Sequence, residues 1–127
     1  MRFHHIGVAT NNINEAIDVY RKVGVCRILT DKVFDQQQDA TVQIIALHGF
    51  YIELVSGNRV KDILLRNIPV YHICFTTDRS LDEEIKEHIT AGYRQVTKIK
   101  PAKLFGGKRV VFMYHSTIGL IEIGERI

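Results

Sequence analysis

Phe3-His4-His5-Ile6-Gly7-Val8-Ala9-Thr10 returns later in the chain as Val70-Tyr71-His72-Ile73-Cys74-Phe75-Thr76-Thr77, and this correspondence decides the fold. Each stretch alternates like a half-buried strand and places a histidine just before an isoleucine. Each then runs into polar turn residues, Asn11-Asn12 or Asp78-Arg79-Ser80. Self-similarity at a fixed offset is the signature of a repeated structural unit.

The correspondence extends outward from these strands. Ile13, Ala16, Ile17 and Tyr20 recur at helical spacing after the first, and Leu81, Ile85, His88 and Ile89 after the second. Gly24 and Gly92 fit the position just past a helix C-terminus, where a left-handed backbone is expected. Further strands follow in each half, ending in Tyr51-Ile52-Glu53-Leu54-Val55 and Leu120-Ile121-Glu122-Ile123. The histidines lie 67 residues apart and the glutamates 69. These offsets predict an α+β domain spanning 1–127: two βαβββ modules in tandem, about 1–57 and 70–127. The linker of about 58–69 contains Val60, Ile63, Leu64 and Leu65, which suggests a short helix.

Side chains alternate across a strand, so His5 shares a face with Phe3, Gly7 and Ala9, and His72 with Cys74 and Thr76. Glu53 and Glu122 each stand between isoleucine or leucine neighbours that point to the opposite, core-type face. Any one of the four would suit a solvated strand face. Together they share faces with Gly7, Ala9, Cys74, Tyr51, Val55, Leu120 and Gly124, the lining of a weakly polar concavity. Two imidazoles and two carboxylates suit one divalent ion, zinc, nickel, cobalt, manganese or iron. Of the other histidines, His4 should face away from His5, His48 precedes Gly49 in a turn, and His88 falls on a helix. His115 lies in the turn Tyr114-His115-Ser116 and is a candidate for bordering the pocket.

Composition limits the remaining possibilities. A chain of 127 residues with 46% hydrophobic residues can bury a core as one domain, and no apolar run has the length of a membrane span. Seventeen basic residues are interleaved with fourteen acidic ones, and no basic-aromatic signature of a nucleic-acid module appears. The N-terminus enters a strand pattern without a signal-peptide stretch, and Cys26 and Cys74 lack metal-type spacing. The expectation is a cytoplasmic protein with reduced cysteines and with neither nucleic-acid nor membrane partners. The basic run Lys98, Lys100, Lys103, Lys108 and Arg109 surrounds Pro101 and Gly106-Gly107. Lys103, Lys108 and Arg109 are therefore candidates for meeting an anionic substrate at a pocket mouth.

The frame His5-Ile6-Gly7-Val8-Ala9, Ala16-Ile17-Asp18-Val19-Tyr20, Ile52-Glu53-Leu54, His72-Ile73 and Gly119-Leu120-Ile121-Glu122 resembles the vicinal-oxygen-chelate superfamily over nearly the whole chain. That superfamily includes glyoxalase I, methylmalonyl-CoA epimerase, extradiol dioxygenases and bleomycin-binding proteins. Tyr71-His72-Ile73-Cys74-Phe75 and Gly106-Gly107-Lys108-Arg109-Val110-Val111-Phe112-Met113 look most like the epimerases. The resemblance implies a cupped mixed sheet around one metal site formed by His5, Glu53, His72 and Glu122. It further implies proton abstraction next to a carbonyl, with Glu122 and Glu53 as catalytic carboxylates and a carbonyl substrate such as an acyl-CoA thioester. It places Gln43 where some epimerases carry a second carboxylate; an amide cannot act as a base, so Gln43 is read as substrate-binding. A homodimer is expected. The alternatives are a glyoxalase I-like lyase and a non-catalytic protein that binds a small molecule such as an antibiotic.

Overall fold

The computed structural model describes residues 1–126. The chain divides into two compact units, His5–Tyr71 and Met1–His4 together with the chain from His72 onward.

In the first of these, the alternating N-terminal stretch forms β1 (Arg2–Ala9), of which His5 onward belongs to this unit. Helix α1 (Ile13–Tyr20) follows, and the Asn12 side chain accepts a hydrogen bond at 2.9 Å from Glu15 N–H, satisfying one of the helix's open donors. Strands β2 (Cys26–Ile28), β3 (Val33–Asp35), β4 (Ala40–Leu47) and β5 (Phe50–Ser56) complete a mixed sheet in the order β2-β4-β5-β1, with β3 added against β4. Strand β1 runs parallel to β5, while β4 and β5 form a hairpin. The hairpin turns on His48 and Gly49, with φ of 51° and 81°. Such a two-residue turn matches the right-handed twist of the strands and fixes their register. Ile13 and Ile17, four residues apart on α1, pack with Val8, Ile45, Leu47, Ile52 and Leu54 into one core. Beyond β5, a single 3-10 turn (Asn58–Val60) leads into the short helix α2 (Lys61–Leu65), within the stretch where a linker helix is expected.

The other unit repeats this plan. Strand β6 (Val70–Thr77) leads into α3 (Leu81–Thr90), whose N-terminus is capped by Ser80 accepting from Glu83 N–H at 3.2 Å. Asp82, Glu83 and Glu84 lie in its first turn, where negative charge is favoured by the helix dipole. Strands β7 (Arg94–Gln95), β8 (Lys100–Pro101), β9 (Arg109–His115) and β10 (Gly119–Glu125) follow, and the sheet order is β6-β10-β9-β7, with β8 against β9. Leu81 packs against Val111, Met113, Ile121 and Ile123 on one face, joined by Phe75, Ile85, Tyr93 and Ile99. The buried Glu84 carboxylate anchors α3 by accepting from the Thr77 hydroxyl at 2.7 Å.

The α+β class and the tandem repeat hold, with one addition. Each unit inserts a short extra strand, β3 or β8, that folds back on the long hairpin strand next to it. The two glycines expected to end the helices differ. Gly92 has φ of 96°, as a left-handed position requires, whereas Gly24 has no positive φ. Gly24 is small for another reason: a Cβ there would lie 2.5 Å from Nε2 of His48, whose ring hydrogen-bonds the Val23 carbonyl at 3.2 Å.

Two outcomes are expected. Leu54→Ala, at a position with 0% exposure, should cost about 2–5 kcal/mol in urea denaturation. Gly24→Ala should push aside the exposed His48 ring and break its bond to the Val23 carbonyl, at a cost of about 0.5–1.5 kcal/mol, and much less in a His48→Ala background. Equal costs in the two backgrounds would show that the ring is not the obstacle.

Candidate functional site

Strand pairing determines which side chains share a face. In the unit from His5 to Tyr71, Gly7 pairs with Glu53 and Ile44 with Glu53, so His5, Gly7, Ile44 and Glu53 lie on the sheet face opposite α1. Gly7 has no side chain, which leaves the Glu53 carboxylate room to approach the imidazole two residues upstream. His5 Nε2 and Glu53 Oε1 are 3.7 Å apart, with exposures of 0% and 7%. Val42, Ala46 and Val55 on the same face are also buried, so the pair lies in apolar surroundings.

The other unit repeats the arrangement. Cys74 pairs with Glu122 and stands two residues after His72, just as Gly7 stands two residues after His5. Across β9, Glu122 pairs with Phe112, and the His72 ring meets Phe112 edge-on at 5.2 Å. Ligand atoms of His72 and Glu122 lie within 4.8 Å of each other, with exposures of 2% and 4%.

Both pairs fit a cation chemically. An ionised carboxylate in apolar surroundings needs compensating positive charge. The separation of 3.7 Å is too long for a strong hydrogen bond. Two ligands each about 2.1 Å from a shared ion would be roughly 3.0–3.5 Å apart, which is close to the His5–Glu53 spacing.

The substrate-binding candidates separate by face. Gln43 pairs with Leu54, placing it on the α1-covered face away from Glu53, where its amide donates to the Thr30 carbonyl at 2.9 Å. Arg109 pairs with Pro101, an odd number of residues from Phe112 on β9, and so lies on the face opposite Glu122. Its side chain donates to Glu125 at 2.6 and 2.9 Å. These bonds, with a third from the Arg109 backbone N–H, hold the Glu125 carboxyl below its usual range. His115 pairs with Gly119 on that same helix side, where its ring lies 5.0 Å from Tyr93. The resemblance suggests Gln43, the basic run Arg109 and the turn position His115; strand parity sets the three on the helix-covered faces. Lys103 lies in a 3-10 turn (Lys103–Phe105) and Lys108 ends the following glycine pair, both exposed. His4 faces Phe105 edge-on at 5.3 Å, and burial lowers the pKa of its imidazole.

The register also brings forward residues that sequence reasoning did not assign to the site. Tyr114 lies two residues beyond Phe112 and pairs with Arg94, whose guanidinium sits 5.0 Å from the Tyr114 ring centroid. Lys100, part of the basic run, pairs with Val110 and thus shares the Glu122 face. Counting by twos from Phe112 to Val110 and Tyr114 finds the β9 positions. It cannot find Arg94, because a strand of two residues shows no alternation.

Cys26 and Cys74 are not disulfide-bonded, and among the described residues no helix is long and apolar enough to cross a membrane.

No curated protein matches the chain significantly. Among solved structures, the fold is similar to a hypothetical protein from Bacillus halodurans C-125, with a TM-score of 0.81 and 21% identity over 99% of this chain and 94% of that one. Methylmalonyl-CoA epimerase from Mycobacterium tuberculosis matches with a TM-score of 0.80 and 17% identity, over 99% of this chain and 88% of that one. The Streptomyces coelicolor methylmalonyl-CoA epimerase in complex with 2-nitronate-propionyl-CoA matches with a TM-score of 0.77 and 21% identity, over 98% and 94%. At these identities the likeness is one of fold. A family model for the glyoxalase/bleomycin resistance protein/dioxygenase superfamily matches residues 4–112, and the chain belongs to that superfamily.

Proposed function

We propose that the chain is an epimerase that moves the proton next to a substrate carbonyl, with one divalent ion held jointly by His5, Glu53, His72 and Glu122. The observation that carries this reading is the repeated register: in each unit a buried glutamate pairs with the residue two positions after a buried histidine. A bound divalent ion would supply positive charge beside the carbonyl oxygen, lowering the barrier to proton removal by several kcal/mol.

The chain's own groups have distinct tasks. Glu122 takes the proton from the carbon next to the carbonyl, and Glu53 delivers one to the opposite side of the planar carbon. His5 and His72 stay neutral and act as donors through nitrogen lone pairs. The apolar neighbours Val42, Val55 and Phe112 keep bulk water from competing for the proton. An acyl-CoA thioester is the substrate class favoured by the epimerases among the structural neighbours. A cytoplasmic homodimer completes the proposal.

Elemental analysis of protein purified without chelator should find about one transition-metal ion per chain. The double variant His5→Ala, His72→Ala should lose it while keeping its circular dichroism spectrum; full occupancy in that variant would refute the assignment. With a 2-methyl-branched acyl-CoA in deuterated water, the wild type should exchange the α-proton. Glu122→Gln should slow exchange at least ~100-fold, the scale of a lost general base. Unchanged exchange in that variant would remove Glu122 from the reaction.

A further inference from the structure

The arginines of the unit from His72 onward are used in two ways. Arg79 donates to both Glu87 oxygens at 2.7 and 2.8 Å, Arg126 to both Asp78 oxygens at 2.7 Å, and Arg109 to Glu125. Each of these guanidiniums spends its N–H edge on a carboxylate. Arg94 instead lies over the Tyr114 ring, 5.0 Å from its centroid. This contact occupies no carboxylate, and the exposed Arg94 side chain keeps the planar donor fork that suits a carboxylate or phosphate.

The position of this donor edge follows from the register. Arg94 pairs with Tyr114, Tyr114 with Leu120, and Phe112 with Glu122, so Arg94 and Glu122 share one sheet face. They are two strands apart and offset by two residues, which puts their Cα atoms about 12 Å from each other. Of the strand residues on that face of β6, β10, β9 and β7, Glu122 is the one carboxylate, and Lys100 adds a second positive charge from β8. Tyr114 is half-buried, so the platform under Arg94 is held in place while the guanidinium stays accessible.

We propose that Arg94, supported on the Tyr114 ring, captures an anionic oxygen group of the substrate whose reacting carbon lies at Glu122. This rests on the proposed function and narrows it to carbonyl substrates that carry a carboxylate or phosphate on the side away from the proton-transfer carbon. Tyr114 is a positioning residue: its ring lies under the Arg94 guanidinium, and it touches no reacting atom.

The test is direct binding without turnover or added metal. The full chain is titrated calorimetrically with malonate, the carboxylate probe, and with adenosine 3′,5′-bisphosphate, the phosphate probe. One or both should bind at millimolar concentration or below, and the tighter probe identifies which oxyanion the fork takes. Arg94→Gln should weaken that binding about tenfold or more, the scale of a charge-assisted hydrogen bond. Tyr114→Leu should weaken it by removing the platform, and Tyr114→Phe should restore it. Lys98→Gln, which removes a charge of the same sign four residues along the chain, should have little effect. If neither probe binds, if Arg94→Gln binds as the wild type does, or if Lys98→Gln costs as much as Arg94→Gln, the inference is overturned. The proposed function fails on a different observation, retention of the divalent ion by the His5→Ala, His72→Ala variant, so the two failures are distinguishable.

Discussion

The parallel pairing of β1 with β5 and of β6 with β10 is the constraint on which the rest depends. Because side chains alternate with a period of two, a slip of one residue would exchange the two faces of a strand completely. Ile52 and Leu54 are held in the α1 core, and Ile121 and Ile123 in the α3 core. Burying each such side chain stabilises the fold by roughly 1.5–3 kcal/mol. Those same contacts force Glu53 and Glu122 onto the opposite faces, with 7% and 4% exposure. Core and candidate site are thus two consequences of one register, and the core contacts offset the cost of holding carboxylates out of water.

That coupling explains why so much was legible in the sequence. The repeat, the α+β class and the face that each histidine takes within its own strand follow from alternation within long strands, where eight residues of β1 or β6 show the period clearly. Asn12 and Ser80, legible in the sequence only as polar turn residues, cap their helices locally, within three residues. What depended on pairing between strands was not legible. Gln43 lies on the strand next to Glu53, and its face follows from a hairpin register set by the left-handed His48-Gly49 turn. Gly24 looked like a helix-terminating glycine, but its size is dictated by a ring from another segment, His48.

The basic run shows the same limit in electrostatic terms. In sequence, Lys108 and Arg109 appear equivalent. In the structure Arg109 turns to the α3 side and meets Glu125, while Lys108 remains exposed in the loop before β9. The bonds from Arg109 lower the Glu125 pKa, so the carboxylate form of the pair persists at neutral pH and is lost only as pH falls through that depressed value. Exposed pairs of this kind contribute little to stability. Their effect here is to remove charge from circulation: Arg79, Arg109 and Arg126 are each matched to a carboxylate.

The consequence for recognition comes from where the other cations lie. Net charge of +3 says little by itself, because basic and acidic residues are interleaved along the chain. Once parity assigns each residue to a face, the face around Glu122 holds Arg94 and Lys100 against a single strand carboxylate. A guanidinium presents its donors in one plane, whereas an ammonium acts as a point charge. Selectivity for the shape of an anion would therefore reside in Arg94, and Lys100 would add attraction without orientation. The sheet that fixes the catalytic candidates by its period of two fixes the polarity of their surroundings by the same count.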